Sequence, residues 1–448
     1  MWRTLVYMVH ARGRFEIVMS SNRTRTTLFV FVAAAAALGC TVDTSKSASA
    51  SDDVTSVENT DVRAQAVANC WLFATAGWAE SLHKGVAGEA VDLSEAYWTY
   101  WYWYEQLTGG KIADPVEEHI ANTGQWVLGA ELIRRYGWMY ETDFIPEPDA
   151  KSKRHAEAAA YIDASLKSGP LAGTNGAADP ALARAELDRA WRLGAEVVGD
   201  LDRVFSRGNH AWADVVDRSA AGSLPESRVR APRALSVLGA DGRTVVSLED
   251  VVGKIEPDTY LREGYRVGPH AWSVVSYTWR NDKKGAARRN AILRNVQDVL
   301  NRRLAVPVSW LVSETASAGV YRGSGLEPWD GVGVHVSLLV DYEVEGVPGF
   351  GTLRVSERET RPEALSAALT DPARVTFFRM KNSWGKDPEL LPGNGANGGA
   401  SSGTHLPAAP GYNDIYVDYL DAPIIDAKHF GQSFALPPGL KFPLPDDY

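Results

Sequence analysis

The chain contains only two cysteines, and this scarcity most constrains how it can fold. Cys40 closes an apolar stretch near the N-terminus, and Cys70 lies in the run Asn-Cys-Trp-Leu-Phe-Ala at residues 69–74. With one thiol beside the N-terminal apolar stretch, the folded part has no second cysteine for a disulfide, so packing must stabilise it. A 448-residue chain with 45% hydrophobic residues can bury a core large enough for this. Cys70 is left as a free thiol and a candidate nucleophile.

Residues 1–40 have the pattern of an export signal. Arg23 and Arg25 precede an apolar run at residues 27–38, which is too short to span a bilayer and has the length of a signal-peptide core. The sequence Ala-Leu-Gly-Cys at residues 37–40 resembles the bacterial lipobox, whose cysteine is lipidated after cleavage just before it. We therefore expect an exported lipoprotein of the bacterial envelope, anchored to the membrane through Cys40. Ordinary signal cleavage is the alternative.

The residues after this signal separate it from the folded part. Residues 41–60 are rich in Ser, Thr and Asp, which predicts a flexible tether. Met1 and Met19 are both candidate translation starts, because residues 19–40 alone make a compact lipoprotein signal. Loss of residues 1–39 would change the net charge from −10 to about −14, which disfavours nucleic acid as a partner. The nine histidines form no spaced cluster with acidic residues, so we expect no metal, and the sequence indicates no cofactor.

Cys70 is predicted to lie at the start of a helix. Apolar residues recur with helical spacing over residues 72–82, so Cys70 falls in the first turn. The free N–H groups and positive dipole of a helix N-terminus stabilise a thiolate. A nearby imidazolium lowers the thiol pKa further below its usual value of about 8.5. We therefore expect Cys70 to have a lowered pKa.

Two motifs resemble the papain-like cysteine peptidases, most closely the bleomycin hydrolase branch. One is Cys-Trp-x-Phe-Ala at Cys70, and the other is Asn-Ser-Trp-Gly at Asn382, 312 residues later. The resemblance implies an α+β, two-lobed fold with a helical lobe, a twisted antiparallel sheet or barrel lobe, and a cleft between them. It also implies hydrolysis of peptide bonds in peptide or protein substrates through a Cys-His-Asn triad and a thioester intermediate.

Two histidines compete for the role of general base. His270 and His335 both begin an apolar strand pattern that ends in a tyrosine. In the papain-like family, a helix and a Pro-Val-x-Val-type strand precede the histidine strand. Here the corresponding segments are residues 292–304 and 306–310, which come before His335 but after His270. The resemblance therefore assigns His335, with Asn382 orienting its ring.

The resemblance also suggests residues around the reacting atoms. In the family a glutamine six residues before the cysteine donates to the oxyanion, whereas here Gln65 lies five residues before Cys70. Gly124 is the expected backbone contact for an extended substrate, and Trp71 and Trp384 are further candidate contacts. Trp384 is also expected to shield the bond between the triad histidine and asparagine from water.

The remaining length is assigned by elimination. We predict the helical half at residues 61–149, a mainly helical insertion at 150–268, and the sheet half with a C-terminal tail at 269–448. Two alternatives to a peptidase stay open. The same triad could transfer an acyl or amide group, as a transpeptidase or deamidase does, or the chain could be a catalytically weak, papain-like binding protein.

Overall fold

The computed structural model of the chain describes its folded part in eleven segments. They are residues 57–110, 112–146, 151–206, 227–253, 268–277, 283–312, 319–323, 333–355, 357–385, 410–421 and 432–445. The predicted signal at residues 1–40, the predicted lipidation site Cys40 and most of the predicted tether at 41–60 lie outside these residues. The described residues belong to one compact unit.

Four helices form the first part of the fold. They are α1 (Cys70–Ala87), α2 (Glu95–Leu107), α3 (Trp126–Tyr136) and α4 (Glu141–Phe144). Helix α1 ends where Gly88 adopts a left-handed conformation (φ 74°), which favours glycine. Helix α2 begins at Ser94, whose side chain accepts a hydrogen bond from the Tyr97 N–H at 3.0 Å.

Helix α2 carries the aromatic run of residues 97–104 and is buried on every side. All 13 of its residues are buried, and its rings pack against rings from several other elements. Trp101 stacks on Tyr136 of α3 with centroids 4.2 Å apart. Such all-round apolar character is typical of a helix inside a large core. We therefore interpret the aromatic run as core packing and not as a carbohydrate-binding surface.

The next segments contain three helices, followed by a small hairpin. The helices are α5 (Lys151–Ser168), α6 (Pro180–Ala190) and α7 (Ala195–Phe205). Buried Arg184 of α6 donates to the Tyr100 hydroxyl of α2 at 2.6 Å, so these helices pack on the first four. A 3-10 turn (Pro232–Ala234), β1 (Ser236–Leu238), β2 (Val245–Ser247) and α8 (Leu248–Val251) follow.

An eight-stranded sheet forms the other part of the fold. Its strands are β3 (Ser273–Tyr277), β4 (Val306–Val312), β5 (Val320–Tyr321), β6 (Gly333–Val347), β7 (Gly351–Leu353), β8 (Arg374–Lys381), β9 (Tyr412–Tyr416) and β10 (Gln432–Leu436). Their order is β3-β10-β4-β6-β8-β9-β5, with β7 beside β6. All pairs are antiparallel except β5 with β9. Helices beside a mainly antiparallel sheet make the fold α+β.

Three further helices complete the described structure, and α1 joins its two parts. The helices are α9 (Lys283–Asn301), α10 (Pro362–Ala367) and α11 (Val417–Leu420). Helix α1 packs against α2 and α3 on one side and against β4 and β6 on the other. Among the helices of the described segments, none is long and apolar enough to cross a membrane.

Candidate active site

Cys70 is the first residue of α1 and is almost completely buried. Only 6% of its surface is exposed. Burial raises the thiol pKa to about 11, and the backbone N–H groups of Val336, Trp71 and Cys70 itself only partly oppose this effect. The expected lowering of the pKa is therefore not seen, because loss of water outweighs the donors of the helix N-terminus.

His335 lies on β6, directly before the residue whose N–H faces the Cys70 thiol. Its Nε2 is 2.6 Å from Asn382 Oδ1. That oxygen also accepts the Ser383 N–H at 2.7 Å, which identifies it as the carbonyl oxygen of the amide. Nε2 must therefore carry the proton and donate it, leaving Nδ1 as the unprotonated ring nitrogen. A ring in this tautomer can accept a proton from a thiol.

Aromatic rings enclose His335. Trp384 stacks on the ring with centroids 4.5 Å apart and an interplanar angle of 27°, and Trp310 meets it edge-on at 5.7 Å. Burial lowers the His335 pKa to about 4, and the hydrogen bond to Asn382 only partly opposes this shift. The raised pKa of Cys70 and the lowered pKa of His335 both favour the neutral groups near pH 7.

His270, the competing histidine, occupies a different environment. Its Nδ1 accepts the backbone N–H of Ala240 at 3.3 Å, and the ring lies against Gly239 in the turn between β1 and β2. The structure thus uses His270 to hold a hairpin turn. It places His335, and not His270, beside Asn382.

Asn382 follows directly after β8. Its backbone N–H donates to Gly411 O at 2.9 Å, which ties it to the residue before β9. Its side-chain Nδ2 donates to Asn413 Oδ1 at 2.7 Å. The Asn382 amide therefore bonds His335 and Ser383 through its oxygen and Asn413 through its nitrogen.

Gln65 is held beside Asn382. Its backbone N–H donates to Ser383 O at 2.8 Å, and its Oε1 accepts from Ser383 Oγ at 2.5 Å. Its Nε2 donates to Val67 O at 3.1 Å, which leaves the second amide hydrogen for another acceptor. Gln65 is thus anchored at this edge of the site.

Trp71 and Gly124 contact each other. A Cβ added at Gly124 would lie 2.5 Å from Trp71 Cε2, so only glycine fits against the indole. The indole N–H donates to Asn122 O at 2.9 Å. Because Trp71 is 0% exposed, it offers no surface to a ligand, contrary to the expected substrate contact. Trp71 packs against residues 122–124 from the interior of the protein, while Gly124 remains partly exposed.

An ionic cluster centred on Arg63 lies close to the site. The sequence alone did not predict it. Arg63 pairs with Glu80 at 2.7 Å, with Glu95 at 2.8 Å and with Asp92. Burial disfavours the charged guanidinium, but the carboxylates raise the Arg63 pKa overall. The sequence gives no signal for this role of Arg63, because its partners lie in three separate segments: Glu80 in α1, Asp92 before α2 and Glu95 in α2.

Lys381 connects this cluster to the sheet. Its Nζ donates to Thr60 Oγ1 at 2.8 Å, and that hydroxyl donates to Glu80 Oε2 at 2.6 Å. Burial lowers the Lys381 pKa to about 8, with Glu80 partly opposing the shift. A cavity of about 20 Å³, room for about one water molecule, lies between Lys381, Asn382 and Val336. Residues 60–65 therefore bind both halves of the fold beside the site.

No group of three or more His, Cys, Asp or Glu side chains within the described segments is arranged to hold a metal ion. The chemistry available to these residues is that of a thiol, an imidazole and amides.

The chain was compared with known proteins by sequence and by structure. No protein-family profile matches it, and no curated protein matches it in sequence. Its structure is similar to PepW from Lactobacillus rhamnosis HN001, with 12% identity and a TM-score of 0.41, over 86% of this chain and 81% of that one. It is also similar to the clostridial cysteine protease Cwp84 after propeptide cleavage, with 12% identity and a TM-score of 0.32, over 86% of this chain and 56% of that one. Because both TM-scores are low, the fold and chemistry of this chain are argued from its own residues alone.

Proposed function

We propose that the chain is a papain-like cysteine peptidase with Cys70 as nucleophile, His335 as general base and acid, and Asn382 as the residue that orients His335. The observation that carries this proposal is the hydrogen bond from His335 Nε2 to Asn382 Oδ1, made by the residue next to the N–H that faces the Cys70 thiol. The two-lobed fold and the likeness to the bleomycin hydrolase branch belong to the same proposal.

The proposed reaction follows the logic of a Ser-His-Asp triad with a thiol in place of the hydroxyl. His335 Nδ1 takes the Cys70 proton while Sγ attacks the carbonyl carbon of the peptide bond. The tetrahedral oxyanion collapses, the C–N bond breaks, and His335 returns the proton to the leaving amine. Water then attacks the thioester, gives a proton to His335, and releases the acid and the thiol.

Two donors are available for the oxyanion. One is a backbone N–H at the N-terminus of α1, and the other is the second amide hydrogen of Gln65. Loss of one such donor typically lowers turnover about 100- to 1,000-fold. Ser383 holds the Gln65 oxygen, which fixes the side of the amide that carries the nitrogen. This arrangement supports a role for Gln65 despite its shortened spacing.

The neutral resting state motivates a second candidate function. With Cys70 above and His335 below their usual pKa values, the pair holds no stable charge separation before substrate binds. The proposed peptidase transfers the Cys70 proton to His335 as the thiol attacks its substrate, whereas a binding protein would retain the neutral thiol. Acyl transfer to an amine by the same residues is a third outcome, recognised by its product.

The test is covalent labelling of the full-length chain by a peptidyl epoxide, read by intact mass. The parent chain, Cys40→Ser and Cys70→Ser are compared, because Cys40→Ser leaves Cys70 as the only thiol. We expect stoichiometric labelling of the parent and of Cys40→Ser, and none of Cys70→Ser. Peptide turnover with release of a free acid identifies a peptidase, and an amide product identifies a transferase. Capture of peptide with neither labelling nor product would overturn the catalytic proposal.

We further propose that the protein is exported and anchored in the bacterial envelope through a lipid on Cys40. Growth with an alkyne fatty acid would label the parent chain in the membrane fraction, and Cys40→Ser should lose both label and membrane association. A chain that carries no label but is exported would support ordinary signal cleavage instead.

A further inference from the structure

Asn413 is a fully buried polar residue in the sheet beside the candidate site. It lies in β9, is 0% exposed, and is opposite Met380 of β8 in the antiparallel register. Its Oδ1 accepts from Asn382 Nδ2 at 2.7 Å. Among the described residues, this is the one hydrogen bond that its side chain makes.

The sheet itself has no need of a polar side chain at this position. A buried amide costs stability unless it is hydrogen-bonded, and an apolar residue would fill the same space without that cost. The single described bond of Asn413 leads to the residue that orients His335. The polar character of Asn413 is thus explained by Asn382 and not by the packing of β9.

The contacts of Asn382 show what this bond controls. The Asn382 oxygen receives two N–H groups, from Ser383 at 2.7 Å and from His335 Nε2 at 2.6 Å. If the amide rotated by half a turn, its NH₂ group would face these two donors, and its oxygen would face the oxygen of Asn413. In its observed orientation, with Oδ1 towards Asn382, the Asn413 amide therefore opposes this rotation.

The backbone at Asn413 is held in place by its neighbours. The next residue, Asp414, accepts two hydrogen bonds from Arg379 of β8, at 2.9 and 3.1 Å, which fixes the pairing of β8 with β9. The Asp414 N–H donates to Gly319 O at 2.9 Å. A Cβ at Gly319 would come within 2.7 Å of Asn413 Nδ2, so the backbone packs closely against the amide.

We propose that Asn413 is a positioning residue that locks the Asn382 amide and thereby keeps the His335 proton on Nε2, leaving Nδ1 to accept the Cys70 proton. This inference rests on the proposed function for its effect on turnover. Its effect on the His335 ring is independent of any reaction.

The first test compares Asn413→Leu with Asn413→Asp, which keeps an oxygen facing Asn382. We expect Asn413→Leu to lower kcat by as much as about 100-fold with little change in KM, because a misplaced general base slows the chemical step. Asn413→Asp should retain most of the parental kcat. In an Asn382→Ala background, Asn413→Leu should cause no further loss, because the two residues act as one unit. Equal losses in both backgrounds would overturn the proposal, as would an Asn413→Leu variant with parental kcat.

The matched control is Asn295→Leu. Asn295 is also 0% exposed, and both ends of its amide bond the backbone of Phe442, away from the site. Asn295→Leu should lower the unfolding temperature while leaving kcat per folded molecule unchanged. A fall in kcat equal to that of Asn413→Leu would mean that any buried amide has this effect, and would overturn the proposal.

A second readout separates this inference from the proposed function. In ¹⁵N-histidine NMR spectra at pH 7, with the His335 signals assigned by their loss in His335→Gln, the parent should show the proton on Nε2. Asn413→Leu should shift part of the population to Nδ1–H, while Asn413→Asp and Asn295→Leu should not. If the parent chain has no peptidase activity but Asn413→Leu still shows this shift, the proposed function alone is overturned. An unshifted Asn413→Leu spectrum would overturn the role of Asn413, whatever the activity.

Discussion

Gln65 and Ser383 are joined by two hydrogen bonds, one between their backbones at 2.8 Å and one from Ser383 Oγ to Gln65 Oε1 at 2.5 Å. The pair links the segment before Cys70 to the residue after Asn382. Ser383 thus fixes the amide of the candidate oxyanion donor by holding its oxygen.

Removal of the Gln65 amide tests the oxyanion role. We expect Gln65→Ala to lower kcat about 100- to 1,000-fold with a small change in KM, because the donor acts on a charge that forms during reaction. Ser383→Ala should cause a smaller loss, and none when Gln65 is already alanine. Steady-state kinetics of the two single variants and the double variant measure this. Additive losses would show that Ser383 acts on something other than Gln65.

The buried His335 ring predicts a specific acid sensitivity. Its pKa is about 4 in the folded chain, against 6.5 when unperturbed, so the folded state favours the neutral ring. Its contribution to stability is complete above pH 6.5 and is lost as the pH falls through 4. The shift corresponds to about 3 kcal/mol. Urea unfolding from pH 7 to pH 4 should show a shallower loss for His335→Gln than for the parent. Parallel curves would contradict a buried neutral ring.

Arg63 is predicted to be far more important for stability than an exposed charge. Arg63→Met leaves Glu80 and Glu95 buried without their cation, which should cost about 3–5 kcal/mol of unfolding free energy. The control is Lys153→Met, because Lys153 is 80% exposed and its pair with Glu157 should contribute less than about 0.5 kcal/mol. Urea titration at pH 7 compares the two. Similar midpoints for both variants would refute the ranking.

Gly124 should tolerate no side chain. Gly124→Ala forces a Cβ into the Trp71 indole, so we expect a loss of about 1–3 kcal/mol of stability and a raised KM as the loop moves. Gly199→Ala is the matched control, because Gly199 lies in α7 with no atom within 4 Å of an added Cβ. Alanine there should stabilise the helix by about 1 kcal/mol. Thermal unfolding and peptide kinetics test both, and an unaffected Gly124→Ala would show that the loop yields freely.

Local patterns predicted the elements, but not the environment of the site. The apolar period of residues 72–82 lies within α1, and the strand patterns that begin at His335 and end before Asn382 lie in β6 and β8. These are short-range signals, set by which faces are buried. The N–H groups at the start of α1 lower the Cys70 pKa as expected, but burial outweighs them, and the degree of burial depends on packing between α1 and β6, which no local window contains.

Asn413 was missed for a related reason. Its role depends on the register that places it opposite Met380, and the residue type at one position of a buried strand gives no hint of a partner 31 positions earlier. Trp71 shows the converse. The position of Trp71 next to Cys70 suggested a ligand contact, but Trp71 is completely buried and instead packs under the Gly124 loop.

The late position of β9 in the chain sets the moment at which the site can form. A chain is synthesised from its N-terminus, so Cys70 emerges more than 300 residues before Tyr412–Tyr416 can pair with β8. Until that pairing, neither the Asn382 backbone nor its side chain has its partners at Gly411 and Asn413. Asn382 can therefore take up its position beside His335 only after β9 has paired with β8, which makes the site one of the last parts of the fold to form.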